Sequence, residues 1–186
     1  MSSPASALEL AAAGAVDLVA AGSLEMGAHR PQDAAAIAAL LPAGTPVYVN
    51  HLPRHSLDDS LASIAALHAA GLEPVPHIAA RRVASRDELG SFLRQAAVRK
   101  ALVLGGDEPE ARGPYADGAA LIRSGLLEAC GLREVGLPGY PEGHPRIPQI
   151  ALEQAFGEKL ALAAGHGLGA YAVSYTHLTL PTTERV

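Results

Sequence analysis

An α/β fold with a parallel sheet is predicted by the order of segments along this sequence. Short runs that are rich in apolar and β-branched residues alternate with Ala- and Leu-rich stretches of helical length, which is the pattern of consecutive βα units. Some of the runs are apolar throughout, as in Ala-Leu-Val-Leu at residues 101–104. Such runs suit a sheet that is covered on both faces.

The candidate elements follow one another without a low-complexity linker or an internal repeat. We expect strands at residues 23–26, 46–52, 73–79, 101–106, 134–139 and 169–174. We expect helices at residues 33–41, 57–70, 86–97, 115–130 and 150–164. Asp58 and Ser85 stand near the starts of two of these helices, and we expect both side chains to act as N-caps.

Size and charge restrict the class of protein. The chain has 186 residues, of which 49% are hydrophobic, enough for one well-buried domain. Its net charge of -5 disfavours a nucleic-acid or anionic-membrane partner, because either would favour a basic surface. Cys130 is the single cysteine, which excludes an internal disulfide and a cysteine-built zinc site. We expect it to be a small buried hydrophobe.

The N-terminal stretch is rich in Ala and Leu but does not have the pattern of a signal peptide. It lacks a basic segment, and Glu9 and Asp17 interrupt its apolar run. No stretch reaches the roughly 20 apolar residues that a membrane span needs. We therefore expect a cytoplasmic protein without a membrane partner.

Polar and aromatic side chains stand at the ends of most candidate strands. Because a barrel or an open α/β sheet builds its site at the carboxyl ends of parallel strands, this placement predicts a functional site there. The residues concerned are Glu25, Asn50, His77, Asp107, Tyr140 and His144.

Two loops suit the binding of a ligand. Gly105 and Gly106 precede Asp107 after an apolar strand, so the backbone can approach a ligand closely beside a carboxylate. Prolines and glycines stiffen the loop that carries Tyr140 and His144, which can offer an aromatic face and an imidazole to a planar cofactor. Each loop also has an alternative without a ligand. The loop with Asp107 can be an ordinary βα turn, and the loop with His144 can be a structural turn that carries a surface histidine.

Glu25 is a candidate general acid. At the mouth of a barrel it would be withdrawn from water, which raises the pKa of a carboxyl group; a solvated glutamate at the sheet edge is the alternative. A metal site is not expected, because the chain has no HxH or HExxH spacing. The histidines that could converge on one face are His29, His51, His55, His77 and His144.

Several short motifs occur in a specific order over roughly residues 20–174. They are Ser23-Leu24-Glu25-Met26, Pro76-His77-Ile78, Leu104-Gly105-Gly106-Asp107-Glu108-Pro109, Tyr115-Ala116-Asp117 and Gly139-Tyr140-Pro141-Glu142-Gly143-His144-Pro145. Lys159 and Ala172-Val173-Ser174 follow them. Their order and spacing resemble those of the methylenetetrahydrofolate reductase family, whose Y-P-E-x-H-P motif is the most specific match.

The resemblance implies a partial (βα)8 TIM barrel, with strands one to about six in residues 1–174, that binds FAD at the carboxyl ends of its strands. It implies Glu25 as the general acid and Asp107 as a second catalytic residue near the flavin and the pterin. The FAD contacts that it implies are Asn50, His51, His77, Gly105, Gly106, Asp107, Tyr115, Ala116, Tyr140, His144 and Lys159.

The implied reaction transfers a hydride from NAD(P)H through FAD to 5,10-methylenetetrahydrofolate, giving 5-methyltetrahydrofolate. Glu25 would protonate N10 of the folate and so open its five-membered ring. The resemblance further implies small-molecule partners and a homo-oligomer for the full-length protein. The chemistry of the hydride belongs to the flavin, while the protein supplies position and electrostatics.

The chain departs from the family pattern in several places. Asn50 stands where a Thr is usual and Gly105 where an Arg is usual, and a length difference before the sixth strand affects the match of Lys159. Residues 173–182 are similar to a transposase sequencing adapter translated in frame. We therefore interpret residues 175–186 as a non-native tail and the barrel as cut within its sixth strand.

Two alternatives to the reductase remain open at this point. The first is a metal-dependent barrel hydrolase that uses His77 and His144. The second is an inactive barrel remnant without a cofactor, because a complete (βα)8 barrel takes about 250 residues. We expect the chain as given to be impaired, since the unpaired edges of an incomplete barrel promote aggregation.

Overall fold

A computed structural model describes residues 22–52 and 55–174. The tail at residues 175–186 and the N-terminal Glu9 and Asp17, on which we based two expectations, lie outside the described residues.

A six-stranded parallel sheet is the centre of the fold. Its strands pair in the order β1-β2-β3-β4-β5-β6, so that each strand lies beside its neighbours in sequence. All five pairings are parallel, as the alternation of segments predicts. The strands are β1 (Leu24–Met26), β2 (Pro46–Val49), β3 (Glu73–Ala79), β4 (Lys100–Leu104), β5 (Glu134–Pro138) and β6 (Gly169–Val173).

Helices follow the strands. They are α1 (Asp33–Ala38), α2 (Leu61–Ala69), α3 (Arg86–Ala96), α4 (Gly118–Arg123), α5 (Leu126–Ala129) and α6 (Gln149–Gly165), with 3-10 turns at Asp58–Ser60 and Ala80–Arg82. No helix in residues 22–52 and 55–174 has the length and apolar character needed to cross a membrane.

The N-cap at Ser85 is confirmed and the one at Asp58 is wrong. Ser85 precedes α3, and its side chain accepts a hydrogen bond from the N–H of Glu88 at 3.1 Å. Asp58 instead begins a 3-10 turn. Two reciprocal hydrogen bonds join the residues on either side of Asp58. The backbone N–H of Ser56 donates to the side chain of Asp59 at 2.7 Å, and the backbone N–H of Asp59 donates to the side chain of Ser56 at 3.3 Å.

The helix expected at residues 115–130 is two short helices. Tyr115 precedes α4, and the side chain of Asp117 caps that helix by accepting from the N–H of Ala120 at 2.7 Å. Gly125 adopts a φ of +70° between α4 and α5, and this left-handed residue separates the two helices. The apolar periodicity did not reveal this break, because residues on both sides of Gly125 pack into the same core.

The two faces of the sheet bury different side chains, because successive residues of a strand point in opposite directions. One face carries Val47, Ile78 and Val103, and the helices cover it to form the main core. The opposite face carries a smaller cluster, which we call the inner cluster. It comprises Tyr48, Val75 and Leu102, with Leu104, Tyr171 and Val173 packed against them.

The sheet curls around the inner cluster. The hydroxyl groups of Tyr48 on β2 and Tyr171 on β6 lie 3.4 Å apart. In a flat sheet the four spacings between these strands would separate them by about 19 Å, which is too far for two phenol side chains to meet. The face that carries the inner cluster is therefore concave.

Two prolines divide the hydrogen bonding of β3. The first part of the strand, from Glu73 to Pro76, pairs with β2, while His77, Ile78 and Ala79 pair with β4. Because proline has no N–H, neither Pro74 nor Pro76 can donate to a neighbouring strand. The pairing with β4 begins immediately after Pro76, and His77 is the first residue of that ladder.

Candidate functional site

The residues predicted at the ends of the first three strands come together on the concave side of the sheet. Glu25 pairs with Tyr48 in the register of β1 and β2, so both side chains stand on the same face as the inner cluster. The amide Nδ2 of Asn50 lies 3.4 Å from Oε1 of Glu25, and Nε2 of His77 lies 3.9 Å from its Oε2. These three side chains form what we call the acid group.

Asn50 holds the acid group in place. Its Oδ1 accepts a hydrogen bond from the N–H of Ala28 at 3.2 Å, so the amide NH₂ can only point the other way, toward Glu25. Its own N–H donates to the carbonyl of Met26 at 3.3 Å. Asn50 thus ties the loop after β1 to the end of β2 and presents a neutral donor to the carboxylate.

His77 is the buried member of the acid group, with 6% of its surface exposed. Its ring meets that of Tyr48 edge-on at 5.8 Å between centroids. Burial lowers the pKa of His77, and the nearby Glu25 opposes this effect. His77 is therefore a neutral imidazole at neutral pH.

Glu25 is exposed, as the alternative of a solvated glutamate at the sheet edge predicts. Its side chain keeps 40% of its surface open to solvent, because β1 is an edge strand of the described sheet. The withdrawal from water that would favour a protonated carboxyl group is not seen within the described part of the chain.

The loop after β4 is held by the segment after β3. The N–H of Arg81 donates to the carbonyl of Gly105 at 3.0 Å. The guanidinium of Arg81 donates to the carbonyl of Glu108 at 3.1 Å and to that of Ala116 at 2.7 Å. A Cβ added at Gly105 would meet no atom within 4 Å. The backbone at Gly105 is therefore open to a ligand, and Arg81 fixes the loop around it.

Arg82 and Glu108 form a buried ion pair beneath this loop, with 6% and 14% of their side chains exposed. Burial raises the pKa of Glu108, but the hydrogen bond and charge of Arg82, the backbone N–H of Glu108 and the charge of Arg112 together bring it below its usual value. The second carboxylate oxygen, Oε2, is buried without a hydrogen-bond partner in the described residues.

Tyr140 and His144 occupy the loop after β5, as predicted. Their rings meet edge-on at 5.4 Å between centroids. Partial burial raises the pKa of Tyr140, and the negative charge of Asp107 adds to that effect, so the loops after β4 and β5 are neighbours. His144 accepts a hydrogen bond from the N–H of Arg146 at 3.2 Å, which fixes its ring within the loop.

Lys159 lies close to the segment that begins at Tyr115. Its Cδ would be 3.6 Å from a Cβ added at Gly118, the first residue of α4. Burial lowers the pKa of Lys159, and Asp117 opposes this effect. Helical side chains point toward the helix N-terminus, so Lys159 extends toward the carboxyl ends of the strands. Tyr115 is buried, and its hydroxyl group has no hydrogen-bond partner among the described residues.

The predicted site residues therefore fall into a few neighbouring groups. Glu25, Asn50 and His77 make the acid group, while His51 lines a cleft beside it. The other groups are Gly105 with Gly106 and Asp107, Tyr140 with His144, and Tyr115 with Ala116 and Lys159.

The sequence reasoning missed Arg81, Arg82 and Glu108. These residues connect the loops after β3 and β4. The available signal was the pair of adjacent arginines one residue after the predicted strand at residues 73–79. No group of three or more His, Cys, Asp or Glu side chains in residues 22–52 and 55–174 is arranged to hold a metal ion.

No protein-family model matches this chain.

Proposed function

We propose that this chain belongs to the FAD-dependent methylenetetrahydrofolate reductases, which reduce 5,10-methylenetetrahydrofolate with a hydride that originates from NAD(P)H, and that the chain as given is impaired in that reaction. The observation that carries the proposal is the acid group. Three residues far apart in sequence converge on the concave side of the sheet, and they supply a carboxyl group, a neutral amide donor and a neutral imidazole.

The proposed architecture is an incomplete (βα)8 barrel. Its support is the strand order, which runs from β1 to β6 without the reversal that an open doubly wound sheet contains. The curl that brings Tyr48 to Tyr171 is the second support, because a barrel requires the sheet to close on one face. The inner cluster then corresponds to side chains that fill a barrel interior.

The residues at the carboxyl ends of the strands fit a flavin dinucleotide. Gly105 offers open backbone, and Tyr140 offers an aromatic ring with 40% of its surface exposed. The hydroxyl group of Tyr115, buried without a hydrogen-bond partner in the part of the chain that the structure describes, is a polar atom for a ligand to satisfy. Lys159 and Arg81 supply positive charge for a diphosphate. FAD, when bound, supplies the hydride chemistry of the reaction.

The chain's own residues bind and protonate the substrate. Glu25 donates a proton to N10 of the folate, and Asn50 keeps the carboxyl group at the substrate by its hydrogen bond to Oε1. His77 carries no charge at neutral pH. It therefore lies beside Glu25 without forming an ion pair that would hold the carboxyl group in its ionised form. Since Glu25 is exposed in this chain, the bound substrate itself must exclude water from the carboxyl group before the proton can move.

Absorbance spectroscopy on the purified chain gives the first test. A flavin band that is released on denaturation supports the proposal. Zinc by elemental analysis without flavin supports a metal-dependent hydrolase instead, and the absence of both leaves an inactive remnant.

A pair of substitutions tests the role of Glu25. In a chain that binds FAD, we expect Glu25→Gln to abolish folate reduction while NAD(P)H oxidation remains measurable, because only the folate needs the proton. Asn50→Ala is the matched variant, and we expect it to reduce folate turnover more mildly by loosening Glu25. Equal loss of both half-reactions in Glu25→Gln contradicts the assignment.

A further inference from the structure

A polar cleft of about 250 Å³ lies beside the acid group, between the loop after β2 and the segment after β3. It is smaller than the 300–1,000 Å³ of typical sites for whole drug-sized ligands, so it suits one end of a ligand. Its lining side chains are His51, His55, Ser56, Leu57, Arg82, Ala84, Glu88 and Arg112.

Cations outnumber anions on the walls of the cleft. Arg82 and Arg112 face one carboxylate, that of Glu88. Glu88 is already committed, since its Oε2 accepts a hydrogen bond from the N–H of Ala84 at 2.8 Å. Arg82 is held rigid by hydrogen bonds to the side chain of Glu108 and to the carbonyl of His51. An anion that enters the cleft therefore meets a preorganised guanidinium and a second, exposed one.

His51 supplies a second and independent sign that a ligand belongs in the cleft. Its Nε2 lies 3.2 Å from the carbonyl of His55, which fixes the ring. Its Nδ1 is buried and has no hydrogen-bond partner in the described part of the chain. Burial lowers the pKa of His51 and the charge of Arg82 lowers it further, while the hydrogen bond with the carbonyl of His55 and the charges of Glu108 and Glu88 oppose this effect.

The cleft is adjacent to the acid group. His51 directly follows Asn50, whose amide contacts Glu25. His51 also lies close enough to His77 to lower the pKa of that residue. A ligand that reaches from Glu25 past Asn50 therefore arrives in the cleft.

We propose that this cleft is an anion subsite, which binds the carboxylate or phosphate end of a ligand whose other end lies against Glu25 and His77. Arg112 and Arg82 hold the anion, and His51 lines the cleft beside it. The choice between the glutamate end of a folate and the diphosphate of a dinucleotide rests on the proposed function. The anion subsite itself does not, because it requires neither flavin nor folate.

Inorganic phosphate is the probe for the first test, with the purified chain and no cofactor. Histidine resonances are followed by NMR in a phosphate titration, and His51→Gln identifies the signal of His51 among the eight histidines. We expect a saturable response of His51 and a rise of its pKa, because a bound anion stabilises the imidazolium. The absence of a saturable response at His51 overturns the proposal.

Arg112→Gln is the decisive variant, since Arg112 is exposed and its loss should not prevent folding. We expect phosphate affinity to fall about tenfold, which corresponds to the 1.4 kcal/mol typical of one charge-assisted contact. Arg123→Gln is the matched control, because Arg123 is exposed and pairs with Glu158 away from the cleft. Unchanged phosphate affinity in Arg112→Gln, or an equal loss in Arg123→Gln, overturns the proposal.

Competition distinguishes the possible ligands. p-Aminobenzoylglutamate carries the carboxylate end of a folate, and ADP carries the diphosphate end of a dinucleotide. Displacement of phosphate by one fragment supports the subsite and names its source. Displacement by neither overturns the assignment of the cleft to a ligand of the acid group. A chain that shows the phosphate response but binds no FAD would refute the reductase proposal and keep the anion subsite.

Discussion

The phenol oxygens of Tyr48 and Tyr171 lie 3.4 Å apart across the concave face of the sheet. The two residues belong to the second and sixth strands, and no other pair of strands so distant is joined by a described hydrogen bond. Burial raises the pKa of Tyr171, and the hydrogen bond with Tyr48 adds to this effect. Tyr171 therefore stays protonated, and its contact with Tyr48 joins the second strand to the sixth across the curled sheet.

A double-mutant cycle on this pair measures the contact. We expect Tyr48→Phe and Tyr171→Phe each to lower the free energy of unfolding by about 1 kcal/mol, because each leaves the other hydroxyl group without its partner. The double variant should cost less than the sum of the two, since no unpaired hydroxyl group remains. Urea unfolding of the four proteins gives the values, and strict additivity would show that the hydroxyl groups do not interact.

Gly136 on β5 provides the space that the Tyr171 ring occupies. A Cβ at this position would lie 3.2 Å from the ring, 3.0 Å from Val173 and 3.3 Å from Leu102. We expect Gly136→Ala to destabilise the chain by about 1–3 kcal/mol through overpacking. Gly157→Ala in α6 is the control, because nothing lies within 4 Å of its added Cβ and alanine favours a helix by about 1 kcal/mol. The melting temperature should therefore fall in Gly136→Ala and rise in Gly157→Ala.

The buried ion pair of Arg82 and Glu108 should contribute more to the free energy of unfolding than an exposed pair of the same type. We expect Arg82→Gln to cost about 3 kcal/mol or more, because it leaves the Glu108 carboxylate buried without a counter-charge. Arg123→Gln removes the exposed pair with Glu158 and should change stability little. Denaturant midpoints compare the two variants, and equal losses would show that burial of the first pair has no energetic effect.

Acid should destabilise the chain through its buried histidines. Burial lowers the pKa of both His77 and His51, so the unfolded chain binds more protons than the folded one once the pH falls below about 6.5. The free energy of unfolding should therefore be highest at neutral pH. It should decrease as the pH falls from about 6.5, the histidine pKa in the unfolded chain, toward the lower pKa of these histidines in the folded chain. Melting temperatures across this range should fall less for His77→Gln than for the original chain. His68→Gln, at an exposed position, should retain the full loss.

The sequence predicted the parallel α/β sheet and most strand positions, because alternation of apolar runs with helical stretches is a property of local composition. β3 was predicted with the bounds that the structure has, and the other strands are shorter by one to three residues or begin one residue earlier. β2 ends at Val49, three residues before its predicted end at Leu52, and Asn50 follows it outside the strand.

The candidate site could be predicted only in part. Glu25, Asn50 and His77 were found from their positions at strand ends, and the structure brings them together. Arg82 and Glu108 were not found, because their pairing depends on the distance between two loops that no local pattern encodes. The sequence left open whether Glu25 is buried or solvated, since its exposure depends on which strands flank β1 rather than on residues near Glu25.

The sequential order of the strands has a consequence for how the chain folds. Each strand pairs only with its neighbours in sequence, so every sheet ladder can form as soon as the next βα unit has left the ribosome. The contact between Tyr48 and Tyr171 spans 123 residues and needs the whole sheet in place. We therefore expect stepwise growth from the N-terminal strands, in which closure of the curl at the tyrosine pair is the last and slowest event.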